Sequence, residues 1–303
     1  MPEPEFRAPW NTRLQRLETP PAMDPLLLRD LVLPLLSWLE QRCADRQRRV
    51  VIGLTAPVGC GKSTLAGQLV QLARLLPLRL AVASIDDAYR PWAERRERLA
   101  GNPFGVNRVP PGSHDPAVLT AAIAAWREGG PLCLPRFDKR RNQGHGDRTA
   151  AITVAADALL LEGWLVGVEP MAEARLNGWL SSEVRDLSDA ERHWLPRWNG
   201  ALEDYRPLRA CCDGFWVLQP DHWSRVVRWR LQAEARQRRQ GQGAMTAREV
   251  RSLVRASLAS LPPGLYHPAL FKRAMAVATL DGRRRCLRVE TGAQASVSSS
   301  LIG

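Results

Sequence analysis

Short runs of apolar residues recur along the chain, separated by polar segments and by longer stretches with helical spacing. Four runs are rich in Val, Ile, Leu or Ala and predict β-strands, at 48–55, 78–85, 158–161 and 214–218. Segments between them, such as 63–75 and 116–127, place apolar residues at the spacing of a helix. Strands that alternate with helices in this way predict an α/β fold with a parallel sheet.

The flanking segments predict further elements. Residues 24–42 have apolar positions at helical spacing, although Pro34 is expected to bend or break the helix. Helices are also predicted at 221–240 and 246–261, and an edge strand at 283–290. We therefore expect three parts, which are an N-terminal helical extension (1–47) with a disordered start, a main domain (48–291) and a loose Ser-rich tail (292–303).

Two polar stretches interrupt this alternation. They are GNPFGVNRVPPGSHD at 101–115 and RFDKRRNQGHGDR at 136–148, both rich in Gly, Pro or charged residues. Long loops within a compact domain are usually functional or disordered. We therefore expect both stretches to be loops that are either functional or disordered.

The clearest chemical signal is the sequence APVGCGKS at 56–63. It follows a predicted strand, precedes a predicted helix, and matches the phosphate-loop pattern with Ala56 in place of the usual first Gly. In that motif backbone amides surround the β- and γ-phosphates, Lys62 reaches them, and Ser63 binds Mg²⁺. We interpret Cys60 as a small residue that fills the loop, with a redox switch as the alternative. The residues predicted to bind ATP are Pro57, Val58, Gly59, Cys60, Gly61, Lys62, Ser63 and Thr64.

Two other predicted strands end in carboxylates. Asp86 and Asp87 follow the run at 78–85, and Glu162 follows the run at 158–161. In open α/β sheets ligands bind beyond the carboxyl ends of the strands, so these acids should lie close to the phosphate loop. One carboxylate there can accept the proton of an attacking hydroxyl, and another can hold Mg²⁺ or a water bound to it. For Asp86 or Asp87 the alternative is a structural role as a helix cap.

Composition restricts the partners and the location of the protein. The 303 residues include 43 Lys and Arg against 31 Asp and Glu, a net charge of +12 that favours phosphates, carboxylates or nucleic acid as partners. The six cysteines form no CxxC pair and no zinc-like cluster, so we expect a reduced, cytoplasmic protein. The chain has no apolar h-region at its start and no apolar run of about 18 residues, so neither a secretory signal nor a membrane partner is expected. The sequence does not indicate an oligomeric state.

The order of the motifs resembles the plant-type D-glycerate 3-kinases, which are relatives of uridine kinase and phosphoribulokinase among the P-loop kinases. The resemblance covers residues 50–270 and rests on APVGCGKST, SIDDAY, GNPFGVNRVPPGSHDP, LPRFDKRRNQGHGDR, LLLEGWLVG and DHWSRVVRWRLQAE. It implies a three-layer α/β/α P-loop kinase fold, with a helical lid at about 221–245 that closes over the transferring phosphate.

The resemblance also implies roles for individual residues. Asp86 would be the general base and Glu162 a Mg²⁺ ligand beside Ser63. Of the lid arginines we take Arg228 as the one that acts with Lys62 on the γ-phosphoryl group. The residues expected to bind the acceptor are Asp87, Tyr89, His114, Asp115, Arg136, Asp138, Lys139 and Arg148.

The predicted reaction transfers the γ-phosphoryl group of ATP, with Mg²⁺, to the 3-hydroxyl of D-glycerate. A kinase for another small acceptor, such as a nucleoside, pantothenate or a sugar phosphate, is the alternative within the same class. Outside it, the alternative is an ATPase stimulated by nucleic acid, because the basic segment 221–240 also suits a polyanion. We favour the kinase, since the polar loops offer Arg, Lys, Asp and His for a small anion.

Overall fold

A computed structural model of the chain describes residues 9–44, 49–182, 187–241 and 243–294, to which the statements below refer. The main sheet has six strands, and a separate ribbon has two. In chain order the strands are β1 (Val50–Thr55), β2 (Leu80–Ser84), β3 (Leu132–Asp138), β4 (Asp147–Val154), β5 (Ala158–Gly163), β6 (Gly214–Pro220), β7 (Ala274–Leu280) and β8 (Cys286–Glu290).

Parallel pairing explains why the central strands are apolar throughout. The strand order is β2-β5-β1-β6-β7-β8, and every neighbouring pair is parallel except β7 and β8. β1, β5 and β6 are buried at every position, because both faces of the sheet are covered by helices. The four predicted strands and the predicted edge strand are confirmed, whereas β3, β4 and β7 were not predicted.

The helices cover the two faces of the sheet and its edges. They are α1 (Trp10–Leu14), α2 (Pro25–Leu27), α3 (Leu33–Cys43), α4 (Lys62–Ala73), α5 (Trp92–Arg98), α6 (Pro116–Arg127), α7 (Glu173–Ser181), α8 (Asp189–Ala201), α9 (Arg206–Ala210), α10 (Arg225–Arg239), α11 (Ala247–Ser260) and α12 (Pro263–Arg273). The predicted helix at 116–127 is confirmed as α6. None of the described helices has both the length and the apolar character of a membrane span.

Two apolar cores, one on each side of the sheet, produce the predicted three-layer arrangement. On one side α3 and α4 pack through Leu35 and Leu69 against the β1 residues Ile52 and Leu54. On the other side α6 and residues of α8, α11 and α12 pack against residues that alternate with those, such as Val51. The carboxyl ends of the strands are thus left as the open edge of the sheet.

The N-terminal extension is helical, as predicted, but its proline does not break it. Asp24 caps α2, and a π-helical turn at Leu28–Val32 leads into α3. Pro34 closely follows that turn, so the helix continues from α2 into α3 with a local π-helical widening next to the proline instead of a break. The expectation of a disordered start is wrong for α1, where the indole N–H of Trp10 donates to the Ser37 hydroxyl at 2.8 Å.

The two polar stretches behave differently. The loop predicted at 136–148 is partly wrong, because its ends pair in the β3–β4 ribbon, with Phe137 opposite Arg148 and Asp138 opposite Asp147. The stretch at 101–115 has no regular structure, as predicted. The loose tail lies outside the described residues from 295 onward, and so does the start of the extension up to residue 8.

Candidate active site

A cleft of about 430 Å³ opens at the carboxyl ends of β1, β2 and β5. Because parallel strands end at the same edge, the phosphate loop, the Asp86 turn and Glu162 meet there. The predicted site residues that line the cleft are Val58, Gly59, Gly61, Lys62, Ser63, Thr64, Asp86, Asp87, Tyr89, His114, Lys139 and Glu162. The structure therefore brings together most of the predicted donor and acceptor residues.

The phosphate loop joins β1 to α4, as its motif predicts. Gly61 caps α4 with a φ of 106°, and Gly59 has a φ of 75°. A Cβ on Gly59 would lie 2.7 Å from the backbone nitrogen of Arg230, so the glycine also allows α10 to pack directly on the loop. The Lys62 ammonium donates to the Pro57 carbonyl at 3.1 Å, which holds it at the loop.

Cys60 is a packing residue of this loop. Its side chain is buried in the core formed with α3 and α4. Burial raises the pKa of the Cys60 thiol to about 12, against the opposing charges of Lys62 and Arg284. A thiol that remains protonated reacts slowly with oxidants, so the structure favours the loop-filling interpretation over the redox switch.

Arg284, in the turn between β7 and β8, ties the phosphate loop to α10. Its Nε donates to the Gly59 carbonyl at 2.9 Å and its Nη2 to the Trp229 carbonyl at 3.1 Å. Its Nη1 donates to Gln232 Oε1 at 2.9 Å. The residue holds a φ of 66°, a conformation that costs energy for a residue other than glycine. Arg284 was not predicted, because it stands in a run of three arginines with no motif.

Asp86 follows β2 in a short 3-10 helix, Ile85–Ala88. One carboxylate oxygen accepts a hydrogen bond from Lys139 at 2.9 Å, and the other lies 3.7 Å from His114 Nε2. Desolvation in the cleft favours the protonated acid, but Lys139 and His114 outweigh it and hold the pKa of Asp86 well below its usual range. The cap of this helix is Ser84, whose hydroxyl accepts from the Asp86 amide, so Asp86 itself is not the cap.

Asp87 has a different environment from its neighbour. Its side chain is only 16% exposed and pairs with Arg136 at 3.2 Å. Burial raises the pKa of Asp87, while Arg136 and the Phe137 amide oppose the shift. The contacts fasten the β3–β4 ribbon to the Asp86 turn, so Asp87 and Arg136 hold the ribbon against the cleft.

Glu162 is the last residue but one of β5, the strand that lies between β2 and β1. Its residue partners in the sheet are Leu54 of β1 and Ser84 of β2. The side chain is buried, and its Oε2 has no hydrogen-bond partner among the described residues. Burial raises the pKa of Glu162, although the nearby Lys62 favours the carboxylate. A buried, unpaired carboxylate oxygen in the same cleft as the Ser63 hydroxyl suits a divalent cation that also binds phosphates.

Among the described residues, no group of three or more Asp, Glu, His or Cys side chains is placed to hold a metal ion by itself. This arrangement is compatible with Mg²⁺, which commonly takes one or two protein ligands and completes its shell with phosphates and water.

His114 and Arg148 organise the opposite wall. The His114 ring stacks on Tyr89 with a centroid distance of 4.2 Å, and its Nδ1 lies 2.8 Å from the Tyr205 hydroxyl. Arg148 donates to Asp115 at 2.8 Å and to the Tyr89 carbonyl at 2.9 Å. Arg148 and Asp115 are thus placed behind the cleft wall, where they hold the loop that carries His114.

Seven predicted residues do not line the cleft, namely Pro57, Cys60, Asp115, Arg136, Asp138, Arg148 and Arg228. Asp138 pairs with Arg140 at the edge of the ribbon, which lowers the pKa of Asp138 to about 2. Arg228 is exposed on α10, whereas Arg230 and Arg236 line the cleft. Residues two apart on a helix lie on nearly opposite sides, which is why Arg228 and Arg230 differ. The arginines of α10 that are placed for the predicted lid role are therefore Arg230 and Arg236.

The sheet and the phosphate loop define an α/β protein of the P-loop kinase fold. The solved structure of D-glycerate 3-kinase from Cryptococcus neoformans var. grubii is similar, with a TM-score of 0.75 and 25% identity over 86% of this chain and 99% of that one. No family model matches the chain.

Two curated proteins are similar in sequence. The chloroplastic D-glycerate 3-kinase of Arabidopsis thaliana is 31% identical over 244 residues, which are 73% of this chain and 51% of that protein. The uncharacterized kinase mug58 of Schizosaccharomyces pombe is 29% identical over 215 residues, which are 67% of this chain and 76% of that protein. The chain thus spans about half the length of the plant relative.

Proposed function

We propose that the protein is an ATP-dependent kinase that phosphorylates the 3-hydroxyl of D-glycerate, giving 3-phosphoglycerate and ADP. The observation that carries the proposal is the meeting of a phosphate loop and an ion-paired carboxylate, Asp86, in one cleft. The similarity to proteins named D-glycerate 3-kinase supports this choice of acceptor.

The donor side of the cleft would bind ATP through the phosphate loop. Its backbone amides and Lys62 would surround the β- and γ-phosphates. Ser63 and Glu162 would hold Mg²⁺, which neutralises charge on those phosphates when bound. The unpaired Oε2 of Glu162 supports this assignment, because a buried carboxylate oxygen needs a partner.

Asp86 would act as the base for the acceptor. The hydroxyl proton passes to Asp86 as the hydroxyl oxygen bonds to the γ-phosphorus and the bond from that phosphorus to the ADP oxygen breaks. A carboxylate with a low pKa is a weak base, so we expect the proton to move late, once the attacking oxygen has become acidic. Lys139 holds Asp86 ionised until then.

Arg230 is our candidate for the arginine that stabilises the transferring group. Arg230 lines the cleft, and its Nε has no hydrogen-bond partner in the described structure. Its Nη2 forms an ion pair with the buried Glu234. That ion pair restrains the guanidinium of a residue that lines the cleft, and the backbone of α10 contacts the phosphate loop at Gly59. Arg230 thus takes the role predicted for Arg228. We propose a cytoplasmic location, and the six cysteines, none of which forms a disulfide in the described structure, agree with a reducing compartment.

The test is ADP release, measured with Mg-ATP and separate acceptors: D-glycerate, L-glycerate, uridine, pantothenate and ribulose 5-phosphate. We expect release with D-glycerate above all others, and none in a Lys62→Ala variant. Release with another acceptor alone would reject glycerate but retain the kinase. Release that needs DNA or RNA instead of a small acceptor would reject the kinase itself.

A further inference from the structure

His114 presents one unsatisfied nitrogen to the cleft. The residue is 2% exposed, lines the cleft, and is held in place by its stack on Tyr89. Its Nε2 has no hydrogen-bond partner within the described ranges and lies 3.7 Å from the nearer oxygen of Asp86. That separation is too long for a direct hydrogen bond. A buried polar atom of this kind calls for a partner, and the cleft is where one can come from.

The hydrogens around the other nitrogen, Nδ1, can be assigned by counting donors. The Ser113 hydroxyl uses its hydrogen on the Pro110 carbonyl at 2.7 Å, so it has none left for Nδ1 at 3.3 Å. The Tyr205 hydroxyl lies closer to Nδ1, at 2.8 Å. Burial raises the pKa of Tyr205, and the backbone amides of Gly112 and His114 that face its oxygen oppose that shift. A phenol with a raised pKa keeps its hydrogen, and His114 Nδ1 is an acceptor within hydrogen-bond distance of it.

A neutral imidazole carries one hydrogen on one nitrogen and accepts at the other. Burial lowers the pKa of His114, which favours the neutral ring, although Asp86 opposes the shift. If Nδ1 accepts from Tyr205, the ring hydrogen must be on Nε2. We infer that Tyr205 is a positioning residue that fixes His114 as the Nε2–H tautomer, so that His114 donates a hydrogen bond to the acceptor hydroxyl beside Asp86.

The pair formed by His114 Nε2–H and Asp86 selects for a hydroxyl. One oxygen placed within hydrogen-bond distance of both groups must accept from His114 and donate to the Asp86 carboxylate. A hydroxyl can do both, whereas a carboxylate or carbonyl oxygen can only accept and would be repelled by Asp86. The same two contacts leave a lone pair of the hydroxyl oxygen for the γ-phosphorus. This inference rests on the proposed phosphotransfer, but it applies to any acceptor with a reacting hydroxyl.

The tautomer can be measured without any activity. In protein labelled with ¹⁵N-histidine, ring nitrogen shifts identify which nitrogen carries hydrogen, and His114→Gln assigns the His114 signals. We expect a single Nε2–H form in the wild type and a mixture of tautomers in Tyr205→Phe. A wild-type ring with its hydrogen on Nδ1 would overturn the inference, whatever the acceptor proves to be.

Kinetics test the consequence. One neutral hydrogen bond corresponds to roughly a three- to tenfold change in rate, so Tyr205→Phe should lower kcat by that factor and leave the KM for ATP unchanged. His114→Gln, whose amide N–H can stand near Nε2, should retain more activity than His114→Leu. Tyr266→Phe is the matched control, since the buried Tyr266 hydroxyl bonds Asn199 away from the cleft.

The outcomes separate the two proposals. If the wild type does not phosphorylate D-glycerate, the proposed acceptor fails and the tautomer remains measurable. If the wild type is active and Tyr205→Phe has the same kcat as the wild type, or the same loss as Tyr266→Phe, the role of Tyr205 is wrong and the kinase stands.

Discussion

The two halves of the cleft are held together in different ways. On the donor side the phosphate loop contacts α10 backbone to backbone at Gly59, and Arg284 bonds to main-chain carbonyls of both. On the acceptor side the walls are joined by side-chain ion pairs, such as Asp86 with Lys139 and Asp87 with Arg136. Backbone contacts fix a geometry that any nucleotide can use, whereas side-chain pairs can change with the acceptor.

This difference also bears on the predicted lid. Trp229 of α10 is fully buried and its indole N–H donates to the Gly282 carbonyl at 3.1 Å. Val226, one turn earlier, is buried as well. Displacing the whole helix would expose both residues and separate it from the phosphate loop. We therefore expect closure over the γ-phosphoryl group to come from the side chains of Arg230 and Arg236 more than from movement of α10.

The largest expected effect is on the acceptor side, in Asp86→Asn. Loss of a general base typically lowers the rate by about 10²- to 10⁴-fold, and we expect kcat to fall within that range. ATP affinity, measured by calorimetry, should be unchanged, because the phosphate loop is untouched. Asp138→Asn is the control, since Asp138 pairs with Arg140 outside the cleft. Near-normal turnover in Asp86→Asn would refute the base.

The second prediction compares two arginines of α10. Removing one electrostatic stabiliser of a transition state commonly costs about 10²-fold in kcat, which we expect for Arg230→Gln. Arg228→Gln should behave as the wild type, because Arg228 is exposed away from the cleft.

In Arg230→Gln the buried Glu234 loses its ion-pair partner and keeps only the hydrogen bond from the Met245 amide. The melting temperature must therefore be measured alongside the rate. Arg230→Lys keeps that charge and should restore stability more than activity. Equal kinetic losses at positions 228 and 230 would contradict the assignment to Arg230.

The third prediction concerns the charge that tunes Asp86. Lys139 lowers the pKa of Asp86, so Lys139→Met should raise it and move the acid limb of the kcat profile to higher pH. Below the limb we expect turnover to fall further in this variant than in the wild type, because more of Asp86 is protonated there. The sign follows because the base must be ionised, and a higher pKa leaves less carboxylate at a given low pH.

Arg140→Met is the matched control, one residue away and paired with Asp138. A limb that moves to lower pH, or that moves equally in the control, would show that Lys139 does not set the state of Asp86.

The donor half was the more predictable half because its signal is contiguous. The glycines, Lys62 and Ser63 stand together at 56–64, directly after a predicted strand. In the structure this loop joins β1 to α4, and Lys62 and Ser63 line the cleft. The fold class was predicted from the alternation of apolar strand segments with helical segments. β7 was missed because its AMAVATL run is rich in Ala and directly follows α12. β3 and β4 were missed because their paired ends are charged.

The acceptor half depends on contacts that sequence does not display. The predicted members His114, Asp86 and Lys139 do line the cleft, but their pairing required the fold. Tyr205 reaches His114 across 91 positions, from a helical turn with no motif of its own. Arg228 was chosen over Arg230 because composition cannot show which side of a helix faces the cleft. Motifs thus identified residue types, and the structure supplied their partners.

The smallest expected effect is on the donor side, at Arg284. Its three hydrogen bonds join Gly59 to α10, and on the loop they use a carbonyl and none of the amides proposed to bind phosphate. We expect Arg284→Asn to raise the KM for ATP by roughly three- to tenfold, because the loop loses one brace while its amides remain. Asn is chosen because it tolerates the left-handed backbone that Arg284 adopts, so strain does not confuse the result.

The matched control for Arg284 is Arg285→Asn. Arg285 stands next to it but pairs with Asp281 and makes no described contact with the phosphate loop. The KM for the acceptor should stay constant in both variants, because the ion pairs of the acceptor side do not involve this turn. A rise in the acceptor KM with ATP unaffected would show that the two halves are coupled through α10, and that the backbone-held donor side is not independent of the acceptor side.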